Sequence, residues 1–110
     1  MNESEFEGHA EAELARIEQA FEACGADADI EPKGDGVLEI EFGDGSKMIV
    51  NRHTAAREIW VAARSGGFHF RYDGRRWRDT RDGRELYAVL SRLATEQSGS
   101  SVVLSVPDEG

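Results

Sequence analysis

Two hydrophobic periods divide the chain, a helical one of about 3.6 residues at each end and a period of two between them. Phe6, Ala10, Leu14, Ile17 and Phe21 recur at helical spacing and fall on one narrow stripe. Ser4 with Glu7 three residues later has the form of a capping box, and Gly25 is a natural stop, so this pattern predicts a helix to about Cys24. From Gly36 the period becomes two. Val37–Phe42 reads as a strand, Gly43-Asp44-Gly45 as a hairpin turn and 47–51 as the returning strand. Glu58–Ala63 and 67–72 follow as strands joined through Ser65-Gly66-Gly67, and Asp73-Gly74 leads into a fifth strand around Trp77. After Asp82-Gly83, the residues Leu86, Val89, Leu90, Leu93 and Ala94 restore the helical spacing to about Gln97. The segment 102–106 reads as a short strand or an extended stretch, ended by Pro107.

The order is helix, four to six strands on short turns, helix. Short turns impose antiparallel pairing, because a parallel crossover needs about a dozen residues or more. Two amphipathic helices must then cover one face of the sheet. The expected fold is α+β, a two-layer α/β sandwich with the other sheet face in water. With 110 residues it forms a single domain, 1–110, around one modest core.

Composition narrows the class. An apolar fraction of 39% and a charged fraction of 32% describe a folded soluble chain, and no run of about 18 apolar residues is present. MNESEFEGHAEAEL lacks the basic start and apolar block of a signal peptide, which predicts a cytoplasmic protein. A lone cysteine, Cys24, suits a reducing compartment and excludes Cys-based zinc spacing.

Charge changes the picture most. The net charge is −9, and residues 1–51 hold 14 Asp and Glu against only Arg16, Lys33 and Lys47. Residues 52–110 hold eight acids against ten Arg. This asymmetry points to an electrostatic partner, and the acidic half makes cations or a basic protein surface better candidates than nucleic acid. Around the first helix Glu3, Glu7, Glu11, Glu18 and Glu22 fall within an arc of roughly 100° beside the apolar stripe. Asp27, Asp29 and Glu31 extend that arc past the helix end, so helix and edge strand are expected to present one acidic ridge. Carboxylates alone suit hard cations, bound weakly when nothing encloses them. Two readings stay open, a solvated helix face and a cation-binding or docking surface; near absence of Lys and Arg speaks for the second.

A second constellation lies in the middle strands. Alternation sets Ile59, Val61 and Ala63 on one face of the sheet and Trp60 on the other, which places Trp60 on the open face as an interface anchor. An inverted phase, or a neighbour covering the indole, is the alternative. His69 shares that face when Phe68, Phe70 and Tyr72 point inward. His9, His53 and His69 have no metal-ligand spacing, and the glycine turns lack the strand-to-helix context of a phosphate loop. Arg71, Arg75, Arg76, Arg78, Arg81 and Arg84 are interrupted by Asp73, Asp79 and Asp82, so a solvated hairpin is favoured over nucleic-acid binding. No Ser/His/Asp or Cys/His set is arranged for catalysis, and exposed carboxylates lack the desolvation that tunes acids and bases, which argues against an enzyme.

The chain resembles bacterial frataxin, the CyaY group, along nearly its whole length. The likeness is carried by MNESEF, DADIE, GVLEIEFGDGSKMIVNR, EIWVAARSGGFHF and DGRELYAVLSRLA, in that order. It implies two helices on one face of an antiparallel sheet. It also implies weak binding of Fe²⁺ and Fe³⁺ on an acidic ridge and docking on the cysteine desulfurase of iron–sulfur cluster assembly, with the scaffold protein as a further partner. No nucleic acid, membrane or permanent oligomer enters, and the protein is expected to be a monomer. Carried over by position, the metal residues are Glu11, Glu18, Glu22, Asp27, Asp29 and Glu31, with Glu3 and Glu7 as additional candidates. For partner binding the resemblance implies Trp60 and Asn51, and His69 is expected to join them from its place on the open face. Gln19, Ala23 and Gly25 stand where relatives often place acids, and His53 and Ala55 where the family usually has Gln and Pro.

Overall fold

The computed structural model describes residues 1–106, as helix α1 (Glu3–Ala23), strands β1 (Ala28–Pro32), β2 (Val37–Phe42), β3 (Lys47–His53), β4 (Glu58–Ala63), β5 (Gly66–Tyr72) and β6 (Trp77–Asp79), and helix α2 (Leu86–Ser98). The strands pair antiparallel in chain order, β1 to β6, as one continuous meander. The expected α+β sandwich is therefore the observed fold.

Its layers follow from the pleat. Leu38, Ile40, Phe42, Met48, Val50, Ile59, Val61, Phe70 and Trp77 all point to one face and are buried there. Phe6, Ala10, Leu14, Ile17 and Phe21 of α1, with Leu86, Val89, Leu90, Leu93 and Ala94 of α2, close the core from that side. The phase in which Ile59 and Val61 face the helices is the correct one.

Three elements differ from the sequence pattern. The box that starts α1 is made by Asn2 and Glu5, not Ser4 and Glu7: Glu5 N donates to Asn2 Oδ1 at 2.8 Å, and Asn2 N donates to Glu5 Oε1 at 2.9 Å. Residues 28–32, which carry no obvious strand pattern, form edge strand β1 against β2. The segment 101–106 is extended without joining the sheet. Ser91 and Thr95, one turn apart on α2, bond its backbone instead. Leu104 N donates to Ser91 Oγ at 2.8 Å and Val102 N to Thr95 Oγ1 at 2.9 Å, while Val102 and Leu104 bury their side chains. Pro107 lies outside the described residues.

Candidate functional site

α1 presents its acids on the flank beside the apolar stripe, and neighbouring elements already use some of them. Arg52 of β3, with its side chain only 11% exposed, donates from Nη1 to Glu11 Oε1 at 2.7 Å and from Nη2 to Asp35 Oδ2 at 3.1 Å. This guanidinium lies across Gly36, whose φ of +77° and closeness to Arg52 both disfavour a side chain at position 36. Glu7 accepts a longer bond from Thr54 Oγ1 at 3.5 Å. Glu3 is exposed in the first turn, Glu18 is half-buried and Glu22 exposed. Among the described residues neither Glu18 nor Glu22 has an ion-pair partner.

Asp27 is exposed beyond the helix, with Oδ2 packed so closely over Gly43 that a Cβ there would collide with it. Asp29 and Glu31 lie elsewhere than expected. In β1 the alternation turns Ala28 and Ile30 towards the core and sends Asp29 and Glu31 to the open face, opposite Glu41 and Glu39. The single ridge is thus two acidic surfaces meeting at the β1 edge. One is the helix flank with Glu18 and Glu22; the other is a sheet-face patch of Asp29, Glu31, Glu39 and Glu41. Lys33 Nζ lies 2.8 Å from Glu31 Oε1 and 3.9 Å from Glu39 Oε2, and Lys47 Nζ lies 3.7 Å from Glu39 Oε1. The Lys33 hydrogen bond and charge hold the Glu31 carboxyl below the usual range, and Glu31 raises Lys33 in turn. Such exposed pairs contribute little to stability.

These carboxylates have the right chemistry for a hard cation but not a closed geometry. Among the described residues, no three His, Cys, Asp or Glu side chains converge closely enough to hold a metal ion. Of the six metal residues expected from the sequence, Glu11 and Glu31 are compensated by Arg52 and Lys33, which leaves Glu18, Glu22, Asp27 and Asp29 for a cation or a basic partner.

The open face of the sheet carries the second constellation. Asn51, Trp60 and His69 fall on one cross-strand row of β3, β4 and β5. Trp60 is half-buried between two imidazoles: the His53 ring lies 3.7 Å away at 12° and the His69 ring 4.3 Å away at 9°. Each stacked pair contributes about 0.5–1.5 kcal/mol beyond its burial. Glu58 fixes the indole from the same strand, two residues before Trp60. Trp60 Nε1 donates to Glu58 Oε1 at 2.8 Å, and Arg71 Nε donates to Glu58 Oε2 at 2.9 Å, so this buried carboxylate is paired on both oxygens. His53 Nδ1 accepts from Ala56 N–H at 3.2 Å, which orients its ring. Asn51 Nδ2 donates to the Arg52 carbonyl at 3.2 Å.

Sequence reasoning missed His53 and Glu58 in this platform. Their signal was register: in antiparallel strands joined by the 54–57 turn, His53 stands opposite Glu58 and diagonal to Trp60. It also missed Glu39 and Glu41, whose alternation within 37–42 places them on the open face.

Fold and surface together define a small two-layer sandwich whose distinctive chemistry is displayed outward, as an aromatic platform flanked by an acidic edge. Comparison with known proteins gives this class its family. The family model of the frataxin-like domain matches residues 1–100, and the chain belongs to the frataxin family. An iron–sulfur cluster assembly protein CyaY of Dechloromonas aromatica is 62% identical over 104 residues, covering 94% of this chain and 99% of that protein. The CyaY of Cupriavidus taiwanensis is 56% identical over 105 residues, covering 93% and 95%. Among solved structures, the frataxin from Psychromonas ingrahamii superposes with a TM-score of 0.86 at 34% identity, covering 96% of this chain and 99% of its own.

Proposed function

We propose that this chain serves iron–sulfur cluster assembly as a non-enzymatic accessory protein that docks on the cysteine desulfurase. Contact is made through the open sheet face, with Trp60 as anchor and Asn51 and His69 beside it. The acids Glu18, Glu22, Asp27 and Asp29 steer a basic partner surface and gather Fe²⁺ or Fe³⁺ weakly, with Glu11 and Glu31 held as compensated neighbours. The scaffold protein of the same machinery is a further partner, and the setting is the cytoplasm. Relatives named for cluster assembly support the pathway. The observation that carries the site is the Trp60 platform standing beside an acidic edge that encloses no ligand set.

That lack of closure also favours a second reading, in which docking is independent of metal and iron is incidental. Binding of purified desulfurase, measured by calorimetry with and without Fe²⁺ over a salt series, separates the two. Trp60→Ala is expected to weaken binding by about 2 kcal/mol with the salt slope unchanged, as a buried aromatic anchor would. Glu18→Lys with Glu22→Lys is expected to weaken it and flatten the slope. Affinity that persists without iron selects the second reading. Wild-type affinity in both variants would reject the surface altogether.

A further inference from the structure

The open face of the sheet changes its polarity from one end to the other. At the β1–β2 end it is acidic, with Asp29 opposite Glu41 and Glu31 opposite Glu39. In the middle both faces of the Trp60 indole are covered, by His53 at 3.7 Å and by His69 at 4.3 Å, so a partner cannot stack on the indole without displacing an imidazole. It meets the rim of three rings instead, and an aromatic rim carries the positive side of the ring quadrupole. The polar atoms beside that rim are mostly donors. His53 Nδ1 accepts from Ala56 N–H, so the neutral ring carries its proton on Nε2, which has no bond among the described residues. Against it stand two acceptors, Asn51 Oδ1 and one ring nitrogen of neutral His69.

At the β5–β6 end the exposed charge is positive. Glu58 lies beneath, its side chain 9% exposed, with both oxygens engaged by Trp60 and Arg71. Arg71 is 68% exposed and gives Glu58 only its Nε–H, which leaves Nη1 and Nη2 without a bond among the described residues. A partner thus meets the cation of this pair and not the anion behind it. Arg78 of β6 stands directly opposite Arg71, a like-charge pair that weakens the strand pairing. Arg78 donates from Nε to Asp73 and from Nη1 to the Gly83 carbonyl, so its Nη2 is also unused. An anion placed at these two guanidiniums relieves their repulsion and takes the free fork of Arg71 in a charge-assisted pair. We infer that the β5–β6 end of the open face seats a carboxylate of the docking partner, an Asp or Glu side chain held by Arg71 beside Arg78. This rests on the docking reading and adds to it an acidic residue on the desulfurase. Acid at one end and guanidinium at the other then fix the orientation in which the partner sits, because a reversed partner would bring like charges together.

Calorimetric binding of purified desulfurase to charge-removed variants provides the test. Arg71→Gln keeps a donor for Glu58 and removes the cation, and an unchanged Trp60 indole signal in ¹⁵N–¹H spectra verifies that the anchor is undisturbed. Arg78→Gln, which touches neither Glu58 nor Trp60, repeats the test without that contact. Affinity at low salt is expected to fall about tenfold in Arg71→Gln and about threefold in Arg78→Gln, with both losses shrinking at high salt. Desulfurase variants with surface Asp and Glu changed singly to Asn or Gln then locate the carboxylate. One of them is expected to lose about tenfold against the wild-type chain and nothing further against Arg71→Gln, as coupled residues do. Wild-type affinity in both arginine variants, with Trp60→Ala still weakened, overturns the carboxylate seat and leaves the docking face standing. Wild-type affinity in Trp60→Ala as well removes the docking face and the seat with it. Losses in the arginine variants that couple to no desulfurase acid also overturn the seat.

Discussion

At the scale of single residues, the most consequential polar contact is one inside the core. Glu13 is only 7% exposed, and it is held by Arg16 and by the hydroxyl of Tyr87, itself 4% exposed. A buried carboxylate is tolerable only when both oxygens are bonded, and Tyr87 supplies one of the two bonds. Tyr87→Phe is therefore expected to cost about 1–3 kcal/mol at pH 7, read from urea unfolding. Burial first, then the hydrogen bond to Glu13 and its charge, raises the Tyr87 phenol above its ordinary value. Below about pH 10 the phenol is neutral in folded and unfolded chains alike, and its full contribution is present. Above that, the unfolded chain ionises while the folded one resists, so stability falls by as much as about 1.4 kcal/mol per pH unit. The gap between wild type and Tyr87→Phe should accordingly narrow as pH rises from 9.5 to 11. Glu13 was hard to read because the chain has so many helix acids. Its spacing of three after Ala10 and four before Ile17, on the apolar flank, was the available signal. Trp60 was legible from its own strand, but its two stacking partners come from neighbouring strands and needed the register.

At the scale of elements, sequence period was reliable where burial decides the structure and silent where pairing does. Strands β2 to β5 and both helices bury regular apolar sets, and their pattern shows them. The Asn2 and Ser4 boxes have the same form, and only packing separates them. The earlier start lets Phe6, fully buried, fall at the end of the first turn, where its N–H reaches the Asn2 carbonyl at 2.9 Å. Strand β1 has just Ala28 and Ile30 facing inward, set between Asp29 and Glu31 and followed by Pro32, so its five residues looked like a loop. Its backbone partners on β2, not its side chains, make it a strand. One consequence concerns the acids: Asp29 stands directly opposite Glu41, a like-charge pair that weakens the edge. Asp29→Lys replaces repulsion with attraction and is expected to stabilise the protein by about 0.5 kcal/mol at low ionic strength. Urea unfolding in 1 M salt, where exposed charges are screened, should show most of the gain gone. A gain that survives high salt would mean that strand propensity, not charge, was the cause.

At the scale of the whole molecule, the charge imbalance is borne by surfaces that the fold concentrates. α1 and the β1–β2 edge hold the uncompensated acids, while the arginines of the second half are largely tied to local partners: Arg78 to Asp73, Arg81 to Asp79 and Arg84 to Asp82. The folded state therefore gathers negative charge that the unfolded chain spreads out, and any cation that prefers the folded surface must stabilise it by linkage. A divalent cation at ten times its dissociation constant would add about 1.4 kcal/mol, which for a domain of this size raises Tm by several degrees, on the order of 4–8 °C per kcal/mol. Scanning calorimetry at low salt with millimolar Mg²⁺, and anaerobically with Fe²⁺, should show that rise, exceeding the effect of sodium chloride at equal ionic strength. Because Arg52 and Lys33 already compensate Glu11 and Glu31, the rise should depend on Glu18 and Glu22, and Glu18→Lys with Glu22→Lys should remove most of it. The same double variant should melt at or above the wild-type temperature in the absence of cations, since it removes the repulsion that the cation relieves. A divalent effect no larger than that of sodium chloride would mean that the carboxylates act by diffuse charge alone, leaving protein docking as their role.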